Sequence, residues 1–291
     1  MKNHVTVGVD GSPASRAAAR WAAQEAVLRQ VPLRLVHAVD RPLDPLLPGL
    51  GRPGVDRWAD QVLTEAAQEL HGRHPHLEIT SRCPTARPAA ALAAEVADAG
   101  LLVLGSRGLG GLAGFIVGSV AMSTVAATDT PVVLVRVADD RNGPGTGPGP
   151  GPGIVVGVDI HEACDPVLAF AFEEADRRGC PLRAVHGWKM PSAYSYVPFF
   201  DPDNERDICR SVTHMVDDVL LPWRRKFPDV NVGHHVVMGS AGEHLVRASQ
   251  GAALVVVGRR VRRSPLGAHL GSVAHAVLHH AAAPVAVIAH G

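Results

Sequence analysis

The tetrapeptide Val-Gly-Val-Asp occurs twice in this chain, at Val7–Asp10 and at Val156–Asp159, and the repetition runs far beyond it. At the same offset of 149 residues, Trp21 matches Phe170, Glu25 matches Glu174, and PLRLVH at 32–37 matches PLRAVH at 181–186. Further along the offset becomes 153, so that Gly105 matches Gly258, Gly118–Ser119 match Gly271–Ser272, and Pro131 matches Pro284. A single four-residue insertion explains the change. Two offsets held over so many positions mean two copies of one fold. The segment RNGPGTGPGPGPG, 141–153, is nearly all Gly and Pro and forms neither helix nor ladder. The reading is therefore a domain at 1–140, a linker at 141–153 and a second domain at 154–291, as suits a length of 291 residues.

Within each copy, strand and helix signals alternate. HVTVGVD is a short β-branched run, Ser12 is placed to cap the next helix with Pro13 at its first position, and ASRAAARWAAQEAVLRQ is rich in helix formers. LRLVHAV, LEITSRC, LLVLG and PVVLVRV read as four further strands. Between them lie helices at 55–71, in PAAALAAEVADAG ending at Gly100, and in SVAMSTVAAT. The second copy ends in PVAVIAH. This alternation predicts an α/β fold: two doubly wound parallel five-stranded sheets in tandem, Rossmann-like, with helices on both faces. A fifth strand at a sheet edge needs covering, so the fifth strands are expected to mediate pairing, within a chain or in a homodimer.

In doubly wound sheets ligands sit beyond the carboxyl ends of the strands, where strand order reverses. Strand one ends in VGVDGS and strand four in VLGSRG, and after the latter comes GSRGLGGLAGFIVGSVA, with six glycines between Gly105 and Gly118. Gly105 and Gly108 let the backbone turn and present N–H groups. Gly118–Ser119 stands at a helix start, where free N–H groups and the dipole favour an anion. Together these groups suit a phosphate chain.

The spacing of Gly105, two residues, Gly108, nine residues, then Gly118–Ser119 resembles the nucleotide-binding signature of the universal stress protein family. The resemblance extends to VGVDGSPAS, LVHA, LLVLGSRG and PVVLV, and to nearly the whole chain outside the linker; it is closest to tandem members. It implies an adenine-nucleotide α-hydrolase-like fold and an ATP-type ligand; with phosphates there, Asp10 and Asp159 are the carboxylates that could help hold Mg²⁺. It places Asp10, with its neighbours Gly8 and Val9, at the nucleoside, on a ribose hydroxyl or an adenine amine. Ala38 falls where backbone meets adenine. Leu104, Gly105, Arg107, Gly108, Gly118, Ser119, Val120 and Ala121 form the phosphate and ribose loop. In the second copy Val158, Asp159, Gly187, Gly258, Gly271, Ser272 and Val273 take the same places. There Val261 stands at the second glycine position, and valine disfavours positive φ. Arg259, Arg260, Arg262 and Arg263 follow Gly258, either binding phosphate directly or forming a solvated loop.

Other function classes find less support. With 28 basic against 28 acidic residues, the chain lacks the field that draws nucleic acid or anionic membranes. The start MKNHVTVGVDGS turns polar after a few apolar residues, no apolar run reaches membrane length, and four cysteines without CxxC spacing suit a cytoplasmic chain with reduced thiols. The 16 histidines show no metal-binding spacing, so no metal site is expected, and His37 and His186 read as packing residues that hydrogen-bond locally. No P-loop lysine, nucleophile elbow or nucleophile–His pair appears, and no second carboxylate accompanies Asp10 or Asp159. The segment 190–205 holds both tyrosines and is either a packed connection or a lid that meets a partner. The expectation is an ATP-binding stress-response regulator with an unidentified protein partner and at most slow hydrolysis. The alternatives are an adenine-nucleotide-dependent enzyme, hydrolysing ATP or adenylating a substrate, and a scaffold that has lost its nucleotide.

Overall fold

The computed structural model describes residues 4–40, 52–106, 117–137, 153–162, 164–188, 202–261 and 270–291. The linker up to residue 152, Arg107, Gly108, Arg262, Arg263 and most of the 190–205 segment lie outside the described residues. Two compact units emerge, one from the described residues up to 137 and one from those after the linker.

Unit 1 contains β1 (Val5–Gly8), α1 (Pro13–Arg29), β2 (Leu33–Val36), α2 (Arg52–Arg73), β3 (Ile79–Arg82), α3 (Pro88–Glu95), β4 (Leu101–Gly105), α4 (Ser119–Ala127) and β5 (Val132–Val135). Unit 2 repeats it with β6 (Ile154–Gly157), α5 (Asp165–Arg178), β7 (Leu182–Trp188), α6 (Pro202–Lys226), β8 (Val232–Met238), α7 (Ala241–Ala248), β9 (Leu254–Arg260), α8 (Ser272–His280) and β10 (Val285–His290). The strand order is β3-β2-β1-β4-β5 in the first and β8-β7-β6-β9-β10 in the second, with parallel neighbours in both. The order reverses between β1 and β4 and between β6 and β9, so each unit has a crevice at those carboxyl ends.

Successive strand residues point to opposite faces, and Val5, Thr6 and Val7 are all buried, as are Leu101 to Leu104 and Leu254 to Val257. Both faces of the central strands are therefore covered. The strands at the β3 end of unit 1 and at the β8 end of unit 2 differ: three of the four β3 residues are exposed, as are four of the seven in β8.

Local chemistry sets the helix ends. Ser12 caps α1, its hydroxyl accepting from Ser15 N–H at 3.1 Å, with Pro13 in the first turn. Gln30 closes α1 in the left-handed region at φ 55°, and its repeat partner Gly179 closes α5 at φ 57°. The matched glutamates are both buried acids in helix pairs: Glu25 accepts from Arg29 at 2.5 Å, and Glu174 is held by Arg177 and Arg178. The third helix ends earlier than the sequence predicts. It stops at Glu95, and i→i+3 bonds from Ala97 to Ala94 and from Ala99 to Val96 tighten the chain beyond it. Gly100 caps nothing; its N–H is spent on the carbonyl of His4 at the entrance to β1. Among the described residues no helix is long and apolar enough to cross a membrane.

Candidate functional site

Unit 1 gathers most of the residues expected at its crevice. Beyond β1, Val9 donates to the carbonyl of Val36 at 2.9 Å, and its own carbonyl receives Nδ1 of the buried His37 at 2.7 Å. A carbonyl only accepts, so His37 carries its proton on Nδ1. The ring is packed edge-on to Trp58 with centroids 5.0 Å apart. Asp10 is half-buried and folds into an Asx turn: Oδ1 accepts from Ser12 N–H at 2.9 Å while Gly11 takes φ +78°. Asp10 N–H in turn donates to Ser15 Oγ at 3.3 Å. The capping reading of Asp10 and the ligand reading coexist, because the turn engages one carboxylate oxygen and leaves Oδ2 for another donor. Ala38 stands between His37, whose N–H bonds to Arg82 O at the end of β3, and Val39, whose N–H bonds to Pro84 O just beyond it.

Opposite Asp10, β4 ends at Gly105 and the start of α4 comes back against it. Ser106 donates to Val135 O at 2.8 Å, and the Ser106 carbonyl accepts from Gly118 N–H at 2.8 Å. That second bond fixes the amino end of α4 beside the carboxyl end of β4. Gly118 is the N-cap, at φ −66° and ψ 149°, with no side chain to cap the helix. The first bond within the helix is Met122 N–H to Gly118 O, so the amides of Ser119, Val120 and Ala121 precede the helical ladder. Ser119 and Val120 are exposed and Ala121 is buried. Three amides without an intrahelical partner and the positive end of the helix dipole thus stand beside the carboxyl end of β4.

Gly105 serves a purpose other than the expected turn. Its φ lies outside the left-handed region. A Cβ there would stand 2.7 Å from the Ala14 carbonyl carbon and 2.9 Å from Ser15 N. The glycine lets the first turn of α1 sit directly on the end of β4. Gly8 is similarly a packing glycine, since a Cβ would meet Leu104 Cδ2 at 2.6 Å. Sequence reasoning missed Ser15, Ser106 and Trp58 as members of this site; VGVDGSPAS contained the signal for Ser15, whereas Ser106 and Trp58 needed the fold.

Unit 2 keeps part of this arrangement. Val158 O receives Nδ1 of buried His186 at 2.8 Å, and Asp159 Oδ1 accepts from His161 N–H at 2.9 Å, as at Val9 and Asp10. Gly271 caps α8 at φ −60° with no side-chain cap, and nothing lies within 4 Å of where its Cβ would be. Neither backbone nor packing demands glycine there, which leaves room for an approaching group. Ser272 and Val273 open the helix as Ser119 and Val120 do. Gly187 is a packing glycine against α7: a Cβ there would stand 2.6 Å from the Ala241 backbone.

The strand end differs. β9 continues past Gly258 through Arg259 and Arg260, in register with Ala289 and His290, and Val261 N–H bonds to His290 O at 2.7 Å. Those two arginines therefore belong to a strand, correcting the reading of them as loop. Arg259 is buried, and Arg260 is paired with Glu162, with Nε 2.8 Å from Oε2. A Cβ on Gly258 would stand 2.7 Å from His290 Nε2 and 3.2 Å from Val167 Cγ2, both side chains, where Gly105 has α1 backbone against it. α5 starts at Asp165, three residues later than the repeat of Pro13 would place it. Among the described residues no group of three or more His, Cys, Asp or Glu is arranged to hold a metal.

The universal stress protein family matches residues 1–136 and 153–289. Universal stress protein Rv2005c of Mycobacterium tuberculosis is 35 % identical over 298 residues, covering 98 % of this chain and 97 % of its own. The crystal structure of a universal stress protein from Archaeoglobus fulgidus superposes over 100 % of both chains with a TM-score of 0.70 at 16 % identity, a likeness of fold. A solved universal stress protein in complex with cAMP covers 46 % of this chain at 27 % identity, with a TM-score of 0.37.

Proposed function

Since the chain belongs to the universal stress protein family, we propose that unit 1 binds ATP in the crevice between β1 and β4 and that occupancy, rather than turnover, is its output. The observation that carries this reading is the uncapped amino end of α4, fastened to β4 by the bond from Gly118 N–H to Ser106 O. The amides of Ser119, Val120 and Ala121 and the Ser119 hydroxyl hold phosphate oxygens there. Asp10 accepts from the nucleoside through the oxygen its own turn leaves over. His37 acts at one remove, holding the Val9 carbonyl and hence the start of the Asp10 turn. Ala38 borders the base. Arg107 and Gly108 complete the phosphate loop. Mg²⁺ would enter as the companion of the phosphates and offset their charge. ATP supplies negative charge that these donors neutralise; its binding favours one arrangement of the surface that a protein partner, or a second copy of the chain, reads.

Unit 2 is the weaker site. Its Gly271–Ser272 helix start and Asp159 turn are kept, but β9 and β10 continue their ladder beyond Gly258 and Arg260 is engaged by Glu162.

Calorimetric titration of the full chain with Mg·ATP tests this. One strong site is expected, weakened by about tenfold or more in Gly118→Val and in Asp10→Ala. Unchanged affinity in both variants overturns the assignment. The same preparations should hydrolyse ATP more slowly than about once per minute, against about 1–10³ per second for typical enzymes; faster turnover would make the chain an enzyme instead.

A further inference from the structure

At the amino-terminal ends of the unit 2 strands, away from the crevice, lies a groove of about 910 Å³. Its floor is the beginning of β6, β7 and β8, and its wall is the end of α7 with the residues that follow. Arg183 pairs with Gly233 across β7 and β8, and His235 is two residues on, so Arg183 and His235 share one face. That is the α7 face: the His235 ring is 6.4 Å from that of His244, and Arg247 comes three residues later along the same helix. His234 turns to the opposite face, where its Nδ1 is 3.2 Å from Asp217.

The repeat shows what has changed here. In unit 1 the counterpart of Arg183 is Arg34, whose guanidinium lies 3.7 Å from Glu95 and 3.5 Å from Asp98. The 153-residue offset puts Ala248 and Gly251 at those two acidic positions and replaces Ala94 and Ala91 by Arg247 and His244. Among these positions two negative charges are lost and one permanent positive charge is gained. Among the described residues no Asp or Glu lines it, and neither Arg183 nor Arg247 has a carboxylate partner.

We infer that this groove binds a small anion carrying phosphate groups. Its volume falls within the roughly 300–1,000 Å³ of small-molecule sites. Two guanidinium forks from opposing elements match phosphate oxygens in pairs, and the imidazoles of His235 and His244 add further donors. The carbonyl end of α7 contributes about half a negative charge, which two full positive charges outweigh. This site is independent of the nucleotide reading of unit 1.

Titration of the full chain with inorganic pyrophosphate tests the inference. Binding is expected in the unmodified protein and should weaken by about tenfold or more when Arg183→Gln and Arg247→Gln are combined. Ala248→Glu, which puts back the acid that unit 1 keeps, should weaken it equally. Both variants should retain the thermal midpoint and the affinity for ATP, and pyrophosphate binding should persist in Gly118→Val. Absence of pyrophosphate binding, full binding in both groove variants, or loss in Gly118→Val alone, which would move the anion to the crevice, overturns the proposal.

Discussion

Replacing Gly105 by alanine separates two reasons for keeping a glycine. If glycine is present only to let the chain turn beside a ligand, adding a methyl group costs the empty protein little. The structure says otherwise: the methyl carbon would lie 2.7 Å from the Ala14 carbonyl carbon and 2.9 Å from Ser15 N, where ordinary contact begins at 3.4 Å. These atoms are backbone in the first turn of α1 and cannot rotate away. Relief requires α1 to withdraw by about 0.7 Å at that end, and a gap of that size forfeits about a quarter to a half of each affected dispersion contact for Ala14, Ser15 and Ala18, all buried. The expected loss is roughly 2–3 kcal/mol, near the upper end for overpacking because the neighbour is main chain. For a unit of this size the unfolding midpoint should fall by roughly 5–10 °C. Gly271→Ala is the control, since its Cβ meets nothing and its φ is −60°; the change there should stay within about 1 kcal/mol. Differential scanning calorimetry of the nucleotide-free protein measures both. A Gly105→Ala midpoint equal to that of the unmodified chain, or an equal drop in Gly271→Ala, would refute the packing argument.

Two further outcomes follow from buried groups. Burial, and secondly the positive charge of Arg34, hold the His4 imidazole below its ordinary value of 6.5. The unfolded chain therefore takes up a proton at His4 in the window just below 6.5 that the native chain refuses, so this contribution to stability rises with pH and is lost as pH falls. His4→Leu should lose less thermal stability than the unmodified chain between about pH 7 and 5.5, and an identical loss in the two proteins would contradict the assignment. In unit 2, Phe172 is fully buried, with ring centroids 5.8 Å from Trp223 on α6 and 5.6 Å from Phe227 just beyond that helix. Phe172→Ala should cost about 3–5 kcal/mol, read as a lowered urea midpoint by Trp fluorescence; a shift worth under about 1 kcal/mol would mean that α6 repacks.

Most of the fold was legible because its causes are local. The β-branched runs and the Ser12–Pro13 helix start report on nearby residues, and the unit 1 strands stand where those signals put them. The termination of α3 at Glu95 was not legible, because the backbone partner of Gly100 is His4, some 96 residues away. The site was legible in position but less so in cause. Gly105 and Gly118 belong to one motif, yet one is required by the backbone of α1 and the other stands where a helix lacks a cap. Arg259 and Arg260 look like loop cations in sequence, and only the register with Ala289 and His290 reveals them as strand. The unit 2 groove left a trace in the sequence, the exchange of Glu95 and Asp98 for Ala248 and Gly251, but its meaning depended on knowing that Arg34 had faced those acids.

The character of the outermost strands bears on solubility. Parallel strands as apolar as β1, β4 and β9 are good templates for intermolecular sheet growth, and their protection depends on what flanks them. In unit 1 the flank is β3, four residues reading Ile-Thr-Ser-Arg, too short and too polar to recruit a stranger. In unit 2 it is β8, seven residues long and ending Val236-Val237-Met238, with Met238 half exposed. Under stress that loosens the protein, fibrillar association should therefore start at β8, and a lysine in place of Met238 is where a formulator would begin.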